Sequence, residues 1–116
     1  MDYTVLTQPA ERADVLALAN VMHESIHALA RQHYSKAQLV AWSPAPRTED
    51  EAKKRFAGQT VFQAMDDEGI AAFMTLTDTG YLDFAYAHPR ASGKGAADAI
   101  YRVLEQYARR HGYLEI

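Results

Sequence analysis

The chain has 116 residues, a formal net charge of -3, 48% hydrophobic and 23% charged residues, and no cysteine. That length builds one core and is too short for two, the charge lacks the basic excess of a general nucleic-acid binder, and the missing thiols exclude disulfides, thiolate catalysis and cysteine-held zinc, which suits a reducing, cytoplasmic setting. Met1-Asp2-Tyr3-Thr4 lacks the basic and apolar regions of a signal peptide, and no apolar run approaches membrane-spanning length, so no nucleic-acid or membrane partner is expected.

Residues 3–7 read as a short strand ended by Gln8-Pro9, and Ala10-Glu11-Arg12-Ala13-Asp14 begins a helix with acidic residues near its positive end. Val15, Leu18, Ala19, Met22, Ile26 and Leu29 recur at spacings of three and four, so they share one face and are predicted to pack on a sheet. Glu24, His27 and Arg31 occupy the wetter side. Ser35 and Gln38 have capping-box spacing and open a short helix to Trp42, which Pro44 and Pro46 stop. Thr48 and Glu51 repeat the device for another short helix that closes near Ala57-Gly58.

From Thr60 the period changes. Residues 60–65, the turn Asp66-Asp67-Glu68-Gly69, residues 70–76, the turn Thr77-Asp78-Thr79-Gly80 and residues 81–87 are predicted to form a three-stranded antiparallel meander. A long amphipathic helix follows, with Ala97, Ile100, Leu104 and Ala108 inward, Arg109, Arg110 and His111 at its negative end, and Gly112 stopping it. Tyr113-Leu114-Glu115-Ile116 reads as the start of a last strand, parallel to residues 81–87 across that helix. The fold class is α/β of the α+β type: one domain over residues 1–116, with a mixed, mainly antiparallel curved sheet and helices on both faces.

Between the third strand of the meander and the last helix stands His88-Pro89-Arg90-Ala91-Ser92-Gly93-Lys94-Gly95-Ala96-Ala97. A strand that ends at a glycine-rich turn opening a helix leaves backbone N–H groups without helical acceptors, all in front of the positive dipole end. Small residues at Gly93, Gly95 and Ala97 let that backbone close on an anion such as pyrophosphate. Arg90 and Lys94 supply side-chain charge, and Ser92 a short hydroxyl. The plain alternative is a turn that joins strand to helix and binds nothing, since the stretch is neither GxGxxG nor GxxxxGK[ST].

Together these elements resemble the GCN5-related N-acetyltransferase (GNAT) family, from the first strand onward. The motif that carries the resemblance is the family's Gln/Arg-x-x-Gly-x-Gly/Ala signature after the fourth strand, commonly preceded by His-Pro. Here His88-Pro89 precedes, Gly95 and Ala97 match, and Ser92 departs from Gln or Arg. The resemblance implies acetyl-CoA as cosubstrate, held at Arg90, Ser92, Gly93, Lys94, Gly95, Ala96 and Ala97, with no metal. It implies further that backbone groups of Ala85, Tyr86 and Ala87 hold the pantetheine arm, with the N–H of Tyr86 or Ala87 stabilising the oxyanion.

The implied acceptor is a primary amine of a small molecule or peptide, in a pocket bordered by Tyr34 and Trp42. Strand alternation sets Asp83 opposite Leu82 and Phe84, facing that cleft as amine ligand or catalytic base; an ordinary cross-strand ion pair is the alternative. Family members normally continue through a full fifth strand, a helix and two more strands, so the fold is expected to be C-terminally incomplete. A second reading follows: a truncated, non-catalytic CoA-binding or assembly module. In either case a homodimer or strand-completing partner is expected to cover the open sheet edge.

A rival motif lies in the first helix. His23-Glu24-Ser25-Ile26-His27 is a full HExxH, the zinc-protease signature, and His33 extends it to the spacing of HExxHxxGxxH, with Ala30 in place of Gly. At about 100° per residue His27 lies roughly 40° from His23, while His33 lies about 80° to the other side. Without the glycine that would release the chain from the helix, three ligands do not converge. Zinc proteolysis therefore ranks below acetyl transfer, with the histidines read as solvent-facing or acceptor-lining.

Overall fold

A computed structural model of the chain describes residues 3–29, 35–42, 45–91 and 93–113. In chain order it holds β1 (Thr4–Pro9), a 3₁₀ turn (Ala10–Arg12), α1 (Val15–Leu29), α2 (Lys36–Trp42) and α3 (Glu49–Phe56). Then follow β2 (Thr60–Asp66), β3 (Gly69–Leu76), β4 (Leu82–Ala87), a second 3₁₀ turn (Pro89–Ala91) and α4 (Ala96–Arg110). The strands form one sheet in the order β1-β2-β3-β4 with every neighbouring pair antiparallel, so β1 extends the expected meander by pairing with β2.

Helices cover both faces. On one, Leu18, Ala19, Met22 and Ile26 of α1 pack with Phe56 of α3 against Val61, Phe73 and Phe84 of the sheet. Phe56 meets Phe73 and Phe84 edge-on, with ring centroids 5.9 and 5.0 Å apart; such contacts add about 0.5–1.5 kcal/mol each beyond simple burial. On the other face Ile100 and Leu104 of α4 pack on Phe62, Ala64, Ala72 and Leu76.

Local chemistry explains where the elements begin and end. α1 starts at Val15, later than the sequence suggests, because Asp14 caps it: its Oδ1 accepts from the Ala17 N–H at 3.1 Å. Both capping boxes form. The Ser35 hydroxyl accepts from the Gln38 N–H at 3.1 Å while the Ser35 N–H donates to Gln38 Oε1 at 2.8 Å. Thr48 and Glu51 make the same pair at 3.2 and 3.0 Å. Along α4 the buried stripe is Ala96, Ile100, Leu104 and Ala108, whereas Ala97 is exposed, one residue out of phase with the expected stripe.

β4 departs from simple alternation. Leu76 pairs with Leu82 and Thr75 with Phe84, so Asp83 is the extra residue of a bulge. Leu82 consequently packs in the core beneath α4 and Phe84 in the core beneath α1, on opposite faces rather than the shared face that alternation predicts. The buried Thr75 hydroxyl accepts from the Phe84 N–H at 3.2 Å, satisfying a donor at the disturbed point of the ladder. Beyond α4, Tyr113 is not in a strand: its N–H donates to Ala108 O at 2.9 Å and its hydroxyl to Asp78 O at 3.0 Å. The rest of the expected last strand, residues 114–116, lies outside the described residues.

Candidate functional site

Along one edge β4 pairs with β3; along the other it borders no described strand. The His88 N–H donates to Ala71 O at 2.8 Å, and antiparallel ladders alternate bonded and non-bonded pairs. Tyr86, opposite Phe73, therefore turns its N–H into the sheet, while Ala85 and Ala87 turn theirs to the open edge. Of the two N–H groups expected at an oxyanion, that of Tyr86 is spent on β3; that of Ala87 points outward, joined by Ala85.

The turn after β4 is compact. Ala91 N donates to His88 O at 2.9 Å and Lys94 N to Ala91 O at 3.1 Å. Gly93 and Gly95 have φ of 75° and 90°, the left-handed region that disfavours a Cβ, and a Cβ placed on either would meet nothing within 4 Å. Space in front of both is open. Gly95 caps α4, whose first internal bond runs from Ala99 N to Gly95 O at 3.1 Å. The N–H groups of Ala96, Ala97 and Asp98 thus lack helical acceptors, and no described residue accepts from them.

Arg90 does not serve this turn. Its Nη2 donates to Asp66 Oδ1 at 2.7 Å, its Nε to Glu68 Oε2 at 3.1 Å and its Nη1 to Ile70 O at 3.3 Å, so it clamps the β2–β3 turn. Its hydrogen bond holds the Asp66 carboxyl below the usual carboxylate range. Two acids already compensate this guanidinium, so a phosphate there would have to compete with them. Lys94 is the exposed cation on the turn, and Ser92 lies outside the described residues.

On the other side of β4 lies a cleft of about 570 Å³, within the range of small-molecule sites. α1 contributes Met22 and His23, and α3 contributes Glu51 and Arg55. Arg47 lines the approach to α3, and Phe84 and Tyr86 form the β4 wall. Burial lowers the His23 pKa below its ordinary value and the neighbouring His27 lowers it further, against an opposing pull from Glu24, so the imidazole is neutral at pH 7. The Thr48 backbone N–H, then its hydroxyl, hold the Glu51 carboxyl low and ionised.

Asp83 is engaged elsewhere. Its Oδ2 accepts from Gln59 Nε2 at 2.8 Å and from Arg55 Nη1 at 3.3 Å, and it is not among the residues lining the cleft. The bulge turns it toward α3, so the ion pair runs from strand to helix. Arg55 also lies 4.3 Å over the Phe84 ring, a cation–π contact.

Within HExxH the two histidine rings stay adjacent. His23 lines the cleft, Glu24 is exposed, and the His23 and His27 rings sit 4.4 Å apart. His33, Tyr34 and the Trp42 side chain lie outside the described residues, among which no three His, Asp or Glu gather as a metal site. No helix among the described residues is long and apolar enough to cross a membrane. Sequence reading did not single out Arg47 and Glu51 as cleft residues, because the Thr48–Glu51 spacing announces a helix start and nothing local announces a cavity.

The profile of the Acetyltransferase (GNAT) family matches residues 24–116. Among solved structures, the GCN5-related N-acetyltransferase from Rhodopseudomonas palustris is 25% identical, with a TM-score of 0.79 over 97% of this chain and 69% of that one. The PaiA N-acetyltransferase from Thermoplasma acidophilum, solved with coenzyme A, is 18% identical, with a TM-score of 0.72 over 97% of this chain and 76% of that one. A ribosomal-protein-alanine N-acetyltransferase from Brucella melitensis biovar Abortus is 17% identical, with a TM-score of 0.61 over 99% and 77% of the two chains. The last two share the fold alone. No curated protein matches the sequence significantly.

Proposed function

Because the chain belongs to the acetyltransferase (GNAT) family, whose members are N-acetyltransferases, we propose that it moves the acetyl group of acetyl-CoA to a primary amine held between α1, α3 and β4. The observation that carries this reading is the position of β4, with outward N–H groups leading to the glycine turn at one end and Phe84 and Tyr86 walling a cleft. Acetyl-CoA supplies the thioester. Gly93, Gly95 and the first-turn N–H groups of α4 fit its pyrophosphate, since the backbone is bare where phosphate oxygens would approach. Lys94 adds charge beside them, and Ala96 and Ala97 keep the helix entry small.

Ala85 and Ala87 N–H groups offer hydrogen bonds along the edge where the pantetheine and the thioester carbonyl would lie, and donate where negative charge develops. His23, neutral at pH 7, takes a proton from the bound ammonium, directly or through a water; the freed amine attacks the thioester carbonyl, the C–S bond breaks, and CoA leaves as a thiolate that takes up a proton. Tyr86 and Phe84 shape the acceptor wall, and no step calls for a metal. A cysteine-free chain suits the cytoplasm, and a homodimer or strand-completing partner at the open sheet margin completes this reading; sedimentation of the purified chain as a monomer would remove that last element.

The decisive experiment is calorimetry with acetyl-CoA followed by thiol release with a panel of amines. Micromolar binding and amine-dependent thiol release are expected. Absence of binding at millimolar acetyl-CoA would sink the reading, and binding without thiol release would favour a non-catalytic CoA-binding module.

A further inference from the structure

Three arginines lie around β4, and they differ in what they touch. Arg90 is held by Asp66 and Glu68, and Arg55 by Asp83 and the Phe84 ring. Arg47 is half-buried in the cleft wall, and the sole acceptor found for it among the described residues is the thioether of Met22, 3.3 Å from its Nη1. A thioether is a weak acceptor, whereas a guanidinium presents a planar fork of N–H donors matched to a carboxylate. No carboxylate among the described residues lies within 4.0 Å of Arg47, and its charge acts on the nearby Glu51 carboxylate without forming a direct ion pair.

The cleft's other charges narrow the ligand further. Glu51 is its one carboxylate lining residue, with one oxygen occupied by the Thr48 N–H at 3.0 Å. With Arg55 already paired to Asp83, the cleft is left with one guanidinium and one carboxylate, a poor seat for a polyamine. They suit a molecule with one anionic and one cationic end, placed near Arg47 and near His23 and Glu51 respectively. Met22, Ile26 and Phe84 offer apolar surface for whatever side chain separates or flanks those ends.

We infer that the acceptor is a free amino acid or a close amino-carboxylate, and that Arg47 binds its carboxylate. The inference rests on the acetyl-transfer reading and adds the substrate class to it. A charge-assisted fork on a half-buried guanidinium corresponds to a discrimination of about 10- to 100-fold.

The test uses matched pairs, an amino acid and the amine left when its carboxylate is removed: phenylalanine with phenethylamine, leucine with 3-methylbutylamine, and spermidine as the polycation. Wild-type protein is expected to use each amino acid at least about 10-fold better in kcat/KM. Arg47→Gln should erase that preference by raising KM at least about 10-fold more for each amino acid than for its decarboxylated partner, and Arg47→Lys should restore part of it. Calorimetry of phenylalanine against phenethylamine on the CoA-saturated protein should show the same difference without turnover. Equal use of both members of a pair, best use of spermidine, or an Arg47→Gln loss that falls equally on both members would overturn the inference while leaving acetyl transfer intact. Failure to bind acetyl-CoA would instead remove the underlying reading, and the inference with it.

Discussion

At the exit of β4 the groups offered to a ligand are backbone N–H groups, set by two glycines with φ of 75° and 90°, while across the strand the cleft offers side chains brought from α1, α3 and β4. The turn should tolerate changes of side chain, since Arg90 faces away from it and Gly93 and Gly95 carry none. The cleft has no such tolerance, because its chemistry consists of imidazole, guanidinium and carboxylate. On the proposed reading, a cofactor common to many enzymes would be met by main chain, and the group peculiar to one reaction by side chains.

Substitutions should separate these halves, or reveal that they do not separate. Phe56 is fully buried and touches both Phe73 and Phe84 beneath the cleft, so Phe56→Ala should cost about 3–5 kcal/mol in denaturant unfolding and impair both halves. Retained CoA binding with lost amine use would mean that the turn folds independently. His23→Gln should lower kcat about 100-fold with acetyl-CoA affinity unchanged. In the wild type, kcat/KM should fall with acidification as His23 takes a proton; since its pKa is depressed, the falling limb lies below about 6.5. A limb above that value would point to another base.

Gly95→Val should weaken acetyl-CoA binding about 10-fold and cost roughly 1–2 kcal/mol, because a β-branched residue resists φ of 90° even where space is open. The amine KM should stay constant. The smallest effect belongs to Arg90→Gln, for which acetyl-CoA affinity should change less than about two-fold, against a clear loss for Lys94→Gln that shrinks in high salt. Its trace should appear in stability. The depressed Asp66 pKa means that the Arg90 contact contributes fully above the ordinary carboxylate range and fades as pH falls through the folded-state value; Arg90→Gln should flatten that part of the melting profile.

Most of the fold could be read from the sequence because its signals are local. Both capping boxes, the α1 stripe, the antiparallel meander and the glycine turn each depend on residues within a few positions of one another. The errors come from events that local pattern does not encode. One bulge set Phe84 on the face opposite Leu82, a pairing over 24 positions took Arg90 to Asp66, and ladder phase decided between the N–H groups of Tyr86 and Ala87. The cleft joins α1 to Arg47, α3 and β4 across more than 60 positions, so its contents appear only once the chain is folded.

The bulge at Asp83 acts like a frameshift in space. Were Asp83 instead paired opposite Thr75 as an ordinary strand residue, with Leu82 held opposite Leu76, Phe84 and Tyr86 would rotate toward α4 and Ala85 and Ala87 toward α1. Deleting Asp83 would instead leave Leu82 opposite Leu76 and Phe84 opposite Thr75 in a straight ladder, so the aromatic wall and the edge-facing amides would keep their places and only the tie to Arg55 and Gln59 would go.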